Sequence, residues 1–166
     1  MPQHPDIKSL LNEYAPLMAR IASTHEVNPS LREDLIQDIS LAVWRGLSNF
    51  RGEASVKTFI AKVAHNRCVD HVLREMRYSK SIDTNQDIDD TLAAQAQQNE
   101  HLNDNKRDAK LDFMTALHRL NLGYRQVITM QLEGFTQAEI AGVLGINEAA
   151  VAKRASRART QLESML

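Results

Sequence analysis

Cysteine occurs once in this 166-residue chain, at Cys68. No internal disulfide can staple the fold, and a lone thiol fits a reducing compartment. Aromatic residues make up only 5% of the chain against 43% apolar residues overall, a balance that suits a helical, soluble protein. No apolar run approaches the roughly 20 residues that span a bilayer. The opening MPQHPDIKSL also lacks the basic-then-apolar order of a signal peptide. These absences point to the cytoplasm, with no membrane insertion. The chain also lacks a paired-carboxylate, glycine-rich phosphate-loop or nucleophile–base constellation, so no enzyme, catalytic residue, cofactor or metal is expected. The nearest thing to a metal set is His65, Cys68 and His71. Their three-residue spacing drifts about 60° round a helix per step and converges poorly on one ion. Cys68 reads better as a small core residue.

The net charge of −1 hides a partition that the overall value would conceal from anyone seeking a basic nucleic-acid binder. From Lys57 to Lys80 the cations Lys57, Lys62, Arg67, Arg74, Arg77 and Lys80 face only Asp70 and Glu75. From Ser79 to Asn105 the balance reverses, with Lys80 against Asp83, Asp87, Asp89, Asp90, Glu100 and Asp104. The length suits one domain or two small ones, and the pattern favours two. A helical unit over residues 1–78 and another over 111–166 are joined by a Gln-, Asn- and Asp-rich linker over 79–110, with a short helix in residues 91–98. The fold class is therefore all-α. The linker reads as a passive tether, or as an acidic segment that lies where nucleic acid would in a partner's basic channel.

In the first unit, Ile7, Leu10, Leu11, Tyr14, Leu17, Met18 and Ile21 predict a helix over residues 6–23, kinked or broken at Pro16. Pro29-Ser30 with Glu33 reads as a capping box opening a second helix. Its stripe of Leu31, Leu35, Ile39 and Ala42 enters a core, while Glu33, Gln37, Ser40 and Trp44 project from the other side, flanked by Asp34, Asp38 and Leu41. Trp44 either covers a second internal contact or meets a partner. Gly46 and Gly52 bracket an irregular connection to the basic helix. There Val56, Phe59, Ile60, Val63 and Ala64 share one face, while Val69, Val72, Leu73 and Met76 lie roughly opposite. That predicts contact on two sides or a bend near Asn66-Arg67. A basic helix beside the loop Asn49-Phe50-Arg51-Gly52 has the ingredients of a single-stranded nucleic-acid site.

In the second unit, one helix carries Leu111, Met114, Leu117 and His118, and another runs from Tyr124 to Leu132. Thr136 and Glu139 form a capping box for a short helix, Gly145 makes a sharp turn, and Asn147 caps a last helix through Leu162. This is a helix-turn-helix. Val151, Ala155, Ala158 and Leu162 take the core side of the last helix. Ala149, Lys153, Ser156 and Thr160 lie opposite with Arg157 beside them, as in a recognition helix entering the major groove.

The two halves together resemble a bacterial sigma factor of the extracytoplasmic-function type, within the sigma-70 family. The first half carries the domain-2 pattern: Glu33-Asp34-Leu35-Ile36-Gln37-Asp38, Val43-Trp44-Arg45, Phe50-Arg51-Gly52, Thr58-Phe59-Ile60, Val63-Ala64-His65-Asn66 and Asp70. The second carries that of domain 4: Tyr124-Arg125-Gln126-Val127-Ile128, Glu133-Gly134-Phe135-Thr136, Glu139-Ile140-Ala141, Leu144-Gly145-Ile146, Val151-Ala152-Lys153-Arg154 and Arg157-Ala158-Arg159. The resemblance implies a non-enzymatic partner of core RNA polymerase. Asp34, Gln37, Asp38, Leu41 and Trp44 would dock on the β′ clamp. Phe50, Arg51, Lys57, Lys62, Asn66 and Arg67 would melt and hold the −10 element. Ala149, Ala152, Lys153, Arg154 and Arg157 would read the −35 duplex, with the β flap as a further polymerase contact. It also implies an anti-sigma factor as partner. Three positions depart from the family pattern: Phe59 stands for a usual Trp, Asn121 for a Pro and Ala152 for a Lys. The alternative from the same broad class is a stand-alone helix-turn-helix regulator, which leaves the Glu33–Asp38 motif unexplained.

Overall fold

Seven helices account for the regular structure of the computed structural model, which describes residues 6–80 and 105–166. The short helix expected over residues 91–98 lies outside them. The chain divides into two compact units at residues 73/74. The first holds α1 (Ile7–His25), α2 (Pro29–Leu47) and most of α3 (Val56–Lys80). The second holds α4 (Asn105–Arg119), α5 (Leu122–Leu132), α6 (Gln137–Leu144) and α7 (Glu148–Met165). No strand occurs among the described residues. Helix α4 takes in residues 105–110, which the sequence alone assigns to the linker.

Helix α1 starts where the Asp6 carboxylate accepts the Lys8 N–H at 3.3 Å. It runs through Pro16 without the expected break. Proline removes the bond to the Asn12 carbonyl, but both residues are exposed, so water can take the orphaned acceptor. The buried stripe Leu17, Met18, Ile21 and Ala22 packs α1 on α2 across a short connection. The start of α2 also differs from expectation. Asn28, one residue before Pro29, is the cap, and its side-chain oxygen accepts from the Ser30 and Leu31 N–H groups. Pro29 then takes the first helical position, where a missing N–H costs nothing. The Ser30–Glu33 capping box is therefore a misreading, with the cap two residues earlier.

Helix α3 is one uninterrupted element. Its buried residues are Ile60, Ala61, Ala64, His65, Cys68, Val72 and Met76. Steps of four residues advance about 40° round a helix, so the stripe turns slowly along the axis. The large apolar residues alone mimic two opposed faces. Ala61, His65 and Cys68 fill the interval between them, and neither a bend nor a second contact face is needed. Ser55 caps the helix, its hydroxyl oxygen accepting from the Thr58 N–H at 3.1 Å.

In the second unit α7 packs against α4, α5 and α6. Val151, Ala155, Ala158 and Leu162 are buried as the spacing predicts. Ala158 and Leu162 join Ala116, Leu117, Leu120 and Ile128 in one cluster. The Thr136–Glu139 capping box is complete in both directions, at 3.2 and 3.0 Å. Gly145 adopts φ 68°, a left-handed conformation that only glycine takes without strain. The turn is closed by the Ile146 N–H on the Ala141 carbonyl at 3.1 Å. Gln137 Nε2 donates to the Glu148 carbonyl at 2.8 Å, tying α6 to the start of α7. Asn121, at the family's proline position, caps α5 by accepting the Tyr124 N–H at 2.9 Å.

Arg125 is 2% exposed. Its Nε donates to the Leu117 carbonyl at 3.1 Å, and Nη2 donates to the His118 and Leu120 carbonyls at 2.7 and 3.0 Å. A buried guanidinium thus closes the end of α4 from the first turn of α5, satisfying the His118 and Leu120 carbonyls and sharing that of Leu117 with the Leu120 N–H. Arg125→Met should cost about 3 kcal/mol, read as a lower urea midpoint of the full chain. Arg125→Lys should recover only part of it, because an ammonium lacks the fork that reaches separate acceptors.

Candidate nucleic-acid and partner interfaces

The buried stripe Leu35, Ile39 and Val43 of α2 turns the rest of that helix outward. Glu33, Asp34, Gln37, Leu41 and Trp44 are exposed, Trp44 at 52% and Leu41 at 43%. Trp44 therefore does not cover an internal contact, which resolves the alternative left open by the sequence. Two anions, an amide and two large apolar groups form one surface, and aromatic groups of this kind anchor interfaces. Asp38 differs from its neighbours. It is half-buried, its Oδ1 stands 3.8 Å from Arg67 Nη1, and its Oδ2 is buried without a hydrogen-bond partner among the described residues. Asp38 and Arg67 are thus assigned by resemblance to different surfaces and are joined here into one pair.

The connection after α2 is built round two rings. Phe50 and Phe59 have centroids 5.1 Å apart with planes tilted at 48°. Gly52, at φ 75°, turns the chain beside the exposed Arg51. Lys62 and Asn66 are exposed one helical turn apart on α3, while Lys57 and Arg67 are half-buried. Lys62 and Asn66 share one face of the helix, whereas Arg67 lies about 100° and Lys57 about 180° round from Asn66. A cation and an amide on one face, beside a loop with an aromatic ring, suit a single strand whose phosphates need charge and whose bases need flat or hydrogen-bonding partners.

Behind that face lies a group of imidazoles that the sequence does not announce. His65 is 1% exposed, and neither ring nitrogen has a hydrogen-bond partner among the described residues. The His25 ring meets it edge-on at 5.6 Å and has its own Nδ1 2.9 Å from the Ile21 carbonyl oxygen. His71 Nε2 stands 3.4 Å from Glu26 Oε1. Of the residues weighed as a metal set, His65 and Cys68 are buried in the core and His71 faces Glu26, so their side chains serve separate environments. Burial pushes the His65 imidazole from 6.5 down to about 4, because the charged form would lose its hydration.

On α7, Ala149, Ala152, Lys153, Ser156, Arg157 and Thr160 are exposed. At about 100° per residue, Lys153 points directly away from the buried stripe and Ala152 sits at its flank. Arg154 is placed otherwise. It is half-buried, and a methyl group added to Gly123 would stand 3.5 Å from its Nη1. The guanidinium lies over the start of α5, while Lys153 and Arg157 stand clear. Small residues round one lysine leave the helix slim enough for the major groove.

Residues 10–78 match the sigma-70 region 2 family and residues 110–162 match sigma-70 region 4. The ECF RNA polymerase sigma factor SigM of Mycobacterium tuberculosis is 27% identical over 135 residues, covering 81% of this chain and 63% of SigM. The chain therefore spans less than two thirds of that relative. The RNA polymerase sigma factor NccH of Alcaligenes xylosoxydans xylosoxydans is 26% identical over 159 residues, covering 95% of this chain and 84% of NccH. Among solved structures, the sigma factor RpoE of Bartonella quintana, in complex with the anti-sigma factor NepR, superposes with TM-score 0.74 at 22% identity, covering 96% of both chains. CnrH in complex with the cytosolic domain of CnrY gives 0.68 at 21% identity, covering 96% of this chain and 86% of CnrH. At these identities the two structures establish likeness of fold. No helix among the described residues is long and apolar enough to cross a membrane.

The lowered value for His65 has a sign. The folded state binds its proton less readily than the unfolded chain does. Stability is therefore full above about pH 6.5 and is lost as the pH falls towards 4. Between pH 7.5 and 4.5 this one group should remove about 2–3 kcal/mol. Urea unfolding across that range should show it, and His65→Phe should flatten the dependence. An equal slope in the variant would assign the effect to other groups.

Proposed function

Because the chain belongs to the sigma-70 family, with regions 2 and 4 in the manner of the extracytoplasmic-function group, we propose that it directs transcription initiation by core RNA polymerase. The observation that carries this reading is the presence of three separate surfaces in one chain. They are an exposed acidic and aromatic face on α2, a basic face on α3 beside the Phe50 loop, and a helix-turn-helix ending in α7. Asp34, Gln37, Leu41 and Trp44, with Asp38 at their edge, dock on the β′ clamp. Phe50, Arg51, Lys57, Lys62, Asn66 and Arg67 open the −10 element and hold its displaced strand, and Asn66 contacts a flipped base. Ala149, Ala152, Lys153 and Arg157 meet the −35 duplex, with Arg154 reaching phosphate from the flank, and the second unit also meets the β flap.

The mechanism is binding rather than covalent chemistry. Melting succeeds when strand capture offsets the lost stacking and pairing, a few kcal/mol per extruded base. Aromatic stacking and phosphate neutralisation are the terms available to this surface. The polymerase performs the phosphoryl transfer, so the chain itself needs no catalytic group. The residue boundaries 1–78, 79–110 and 111–166 serve as the functional division. The relatives solved with an anti-sigma factor or with CnrY support the same kind of protein inhibitor as a partner here. The site of action is the cytoplasm, where the polymerase works.

A stand-alone regulator would share α7 but would give α2 no reason to expose Trp44 and Leu41 beside Asp34. Size-exclusion co-elution with bacterial core polymerase, followed by transcription from fragmented genomic template, separates the two. A complex with discrete new transcripts is expected. DNA binding without affinity for core enzyme would favour the regulator. Asp34→Lys with Trp44→Ala should abolish co-elution without lowering the thermal midpoint, since both side chains stand in solvent. Asp38 is unsuitable for charge reversal because a lysine there would confront Arg67. Lys153→Ala with Arg157→Ala should flatten the salt dependence of promoter binding by roughly 2 in logarithmic slope. An unchanged slope would move the duplex contact elsewhere.

A further inference from the structure

Gly46 lies within α2, where glycine weakens a helix relative to alanine. Its surroundings supply a reason. A Cβ at this position would stand 2.6 Å from Phe59 Cζ and 3.3 Å from Cε1, well inside contact distance. The atoms met belong to the tip of a ring, so an added methyl would swing the ring rather than move backbone. That ring is the one on which Phe50 rests, with centroids 5.1 Å apart. The backbone closes the same circuit. The Asn49 N–H donates to the Gly46 carbonyl at 3.1 Å and the Phe50 N–H to the Leu47 carbonyl at 3.3 Å. Phe59 is fixed at the first turn of α3 by its N–H on the Ser55 carbonyl at 3.0 Å. The smaller aromatic at the family's tryptophan position therefore lies against a bare Cα on the neighbouring helix.

We propose that Gly46 and Phe59 are positioning residues for strand capture: the bare Cα seats the Phe59 ring, and the ring sets where Phe50 stands for the displaced strand. This rests on the functional reading above. Trp44 and Gly46 lie about 200° apart round α2, and Trp44 is exposed. A change at Gly46 therefore reaches the loop while leaving the outward docking face in place. One helix thus carries a docking surface on its outer side and the seat of the melting loop on its inner side.

The test uses the full chain with core polymerase on a promoter recovered from the fragmented-genome transcription. Docking is read by co-elution, and strand opening by permanganate reactivity of thymines in the −10 element. Gly46→Ala should dock as the wild type does and open at least tenfold less DNA. Phe59→Leu, which leaves the seat empty and removes the ring, should give the same split. The double variant relieves the overlap without restoring the ring contact, so its thermal midpoint should recover while opening stays low. Normal opening in both single variants would overturn the proposal. So would full recovery of opening in the double variant, or a parallel loss of docking, opening and thermal midpoint in both single variants, which marks a purely structural role. A wild-type chain that neither docks nor opens DNA would overturn the functional reading and this inference with it.

Discussion

Helices α2, α3 and α7 each bury one stripe in a core, and that stripe decides which arc of the circumference is left for a partner. On α7 the stripe is narrow because two of its four residues are alanine, which lets the helix sit close against α4 and α5 and leaves most of its surface free. On α2 the stripe of Leu35, Ile39 and Val43 is also narrow, and the freed arc carries Asp34, Gln37, Leu41 and Trp44. On α3 the stripe turns along the axis, so the exposed arc turns with it. Lys62 and Asn66 emerge on the side that Ile60, Ala64 and Cys68 do not use. The surfaces proposed for function occupy the complement of packing.

That relation explains which parts were legible. Where burial follows simple spacing, as on α7, the sequence reading of the core stripe and of the outward Ala149, Lys153, Ser156 and Thr160 agrees with the structure, and Arg154 is the exception. The helix-turn-helix was equally readable, because Thr136, Glu139, Gly145 and Asn147 each have a local reason to be what they are. The misreadings at the start of α2 and along α3 have local causes as well. Asn28 and Ser30 are both good caps, and Pro29 between them settles the choice only once the backbone is seen. In α3 the apolar residues at either end fall on different sides of the wheel, and only the burial of Ala61 and His65 beside Cys68 shows the stripe that joins them.

The parts that were not legible are polar groups inside. Arg125 looks like one more surface cation until its three carbonyl acceptors are located. The guanidinium is worth burying because the end of α4 offers it three carbonyl acceptors, of which that of Leu117 is shared with the Leu120 N–H. His65 is the opposite case, a buried imidazole with no hydrogen-bond partner among the described residues, tolerated because its neutral form costs far less to bury than its charged form. Neither role follows from spacing, since both depend on where a different helix ends or passes. Asp38 and Arg67 make the same point at the surface: motif matching puts them in separate sites, and only packing of α2 beside α3 brings them into one pair.

The departures from the family pattern can now be weighed by geometry. Asn121 replaces a rigid proline with a side-chain cap for α5, exchanging a fixed φ for a hydrogen bond at 2.9 Å, and the helix still begins at the next residue. Phe59 keeps an aromatic ring at a site bounded by Gly46. The exchange at Ala152 reaches further. Moving the cation from that position to Lys153 rotates it by about 100°, from the flank of α7 to the point farthest from its core. A flank lysine serves phosphates alone, whereas one at the centre of the exposed arc, among Ala149, Ala152 and Ser156, has a clear path to base edges as well as to phosphate. The first two substitutions preserve the scaffold that any promoter would need. The third changes the surface that the proposed recognition helix presents.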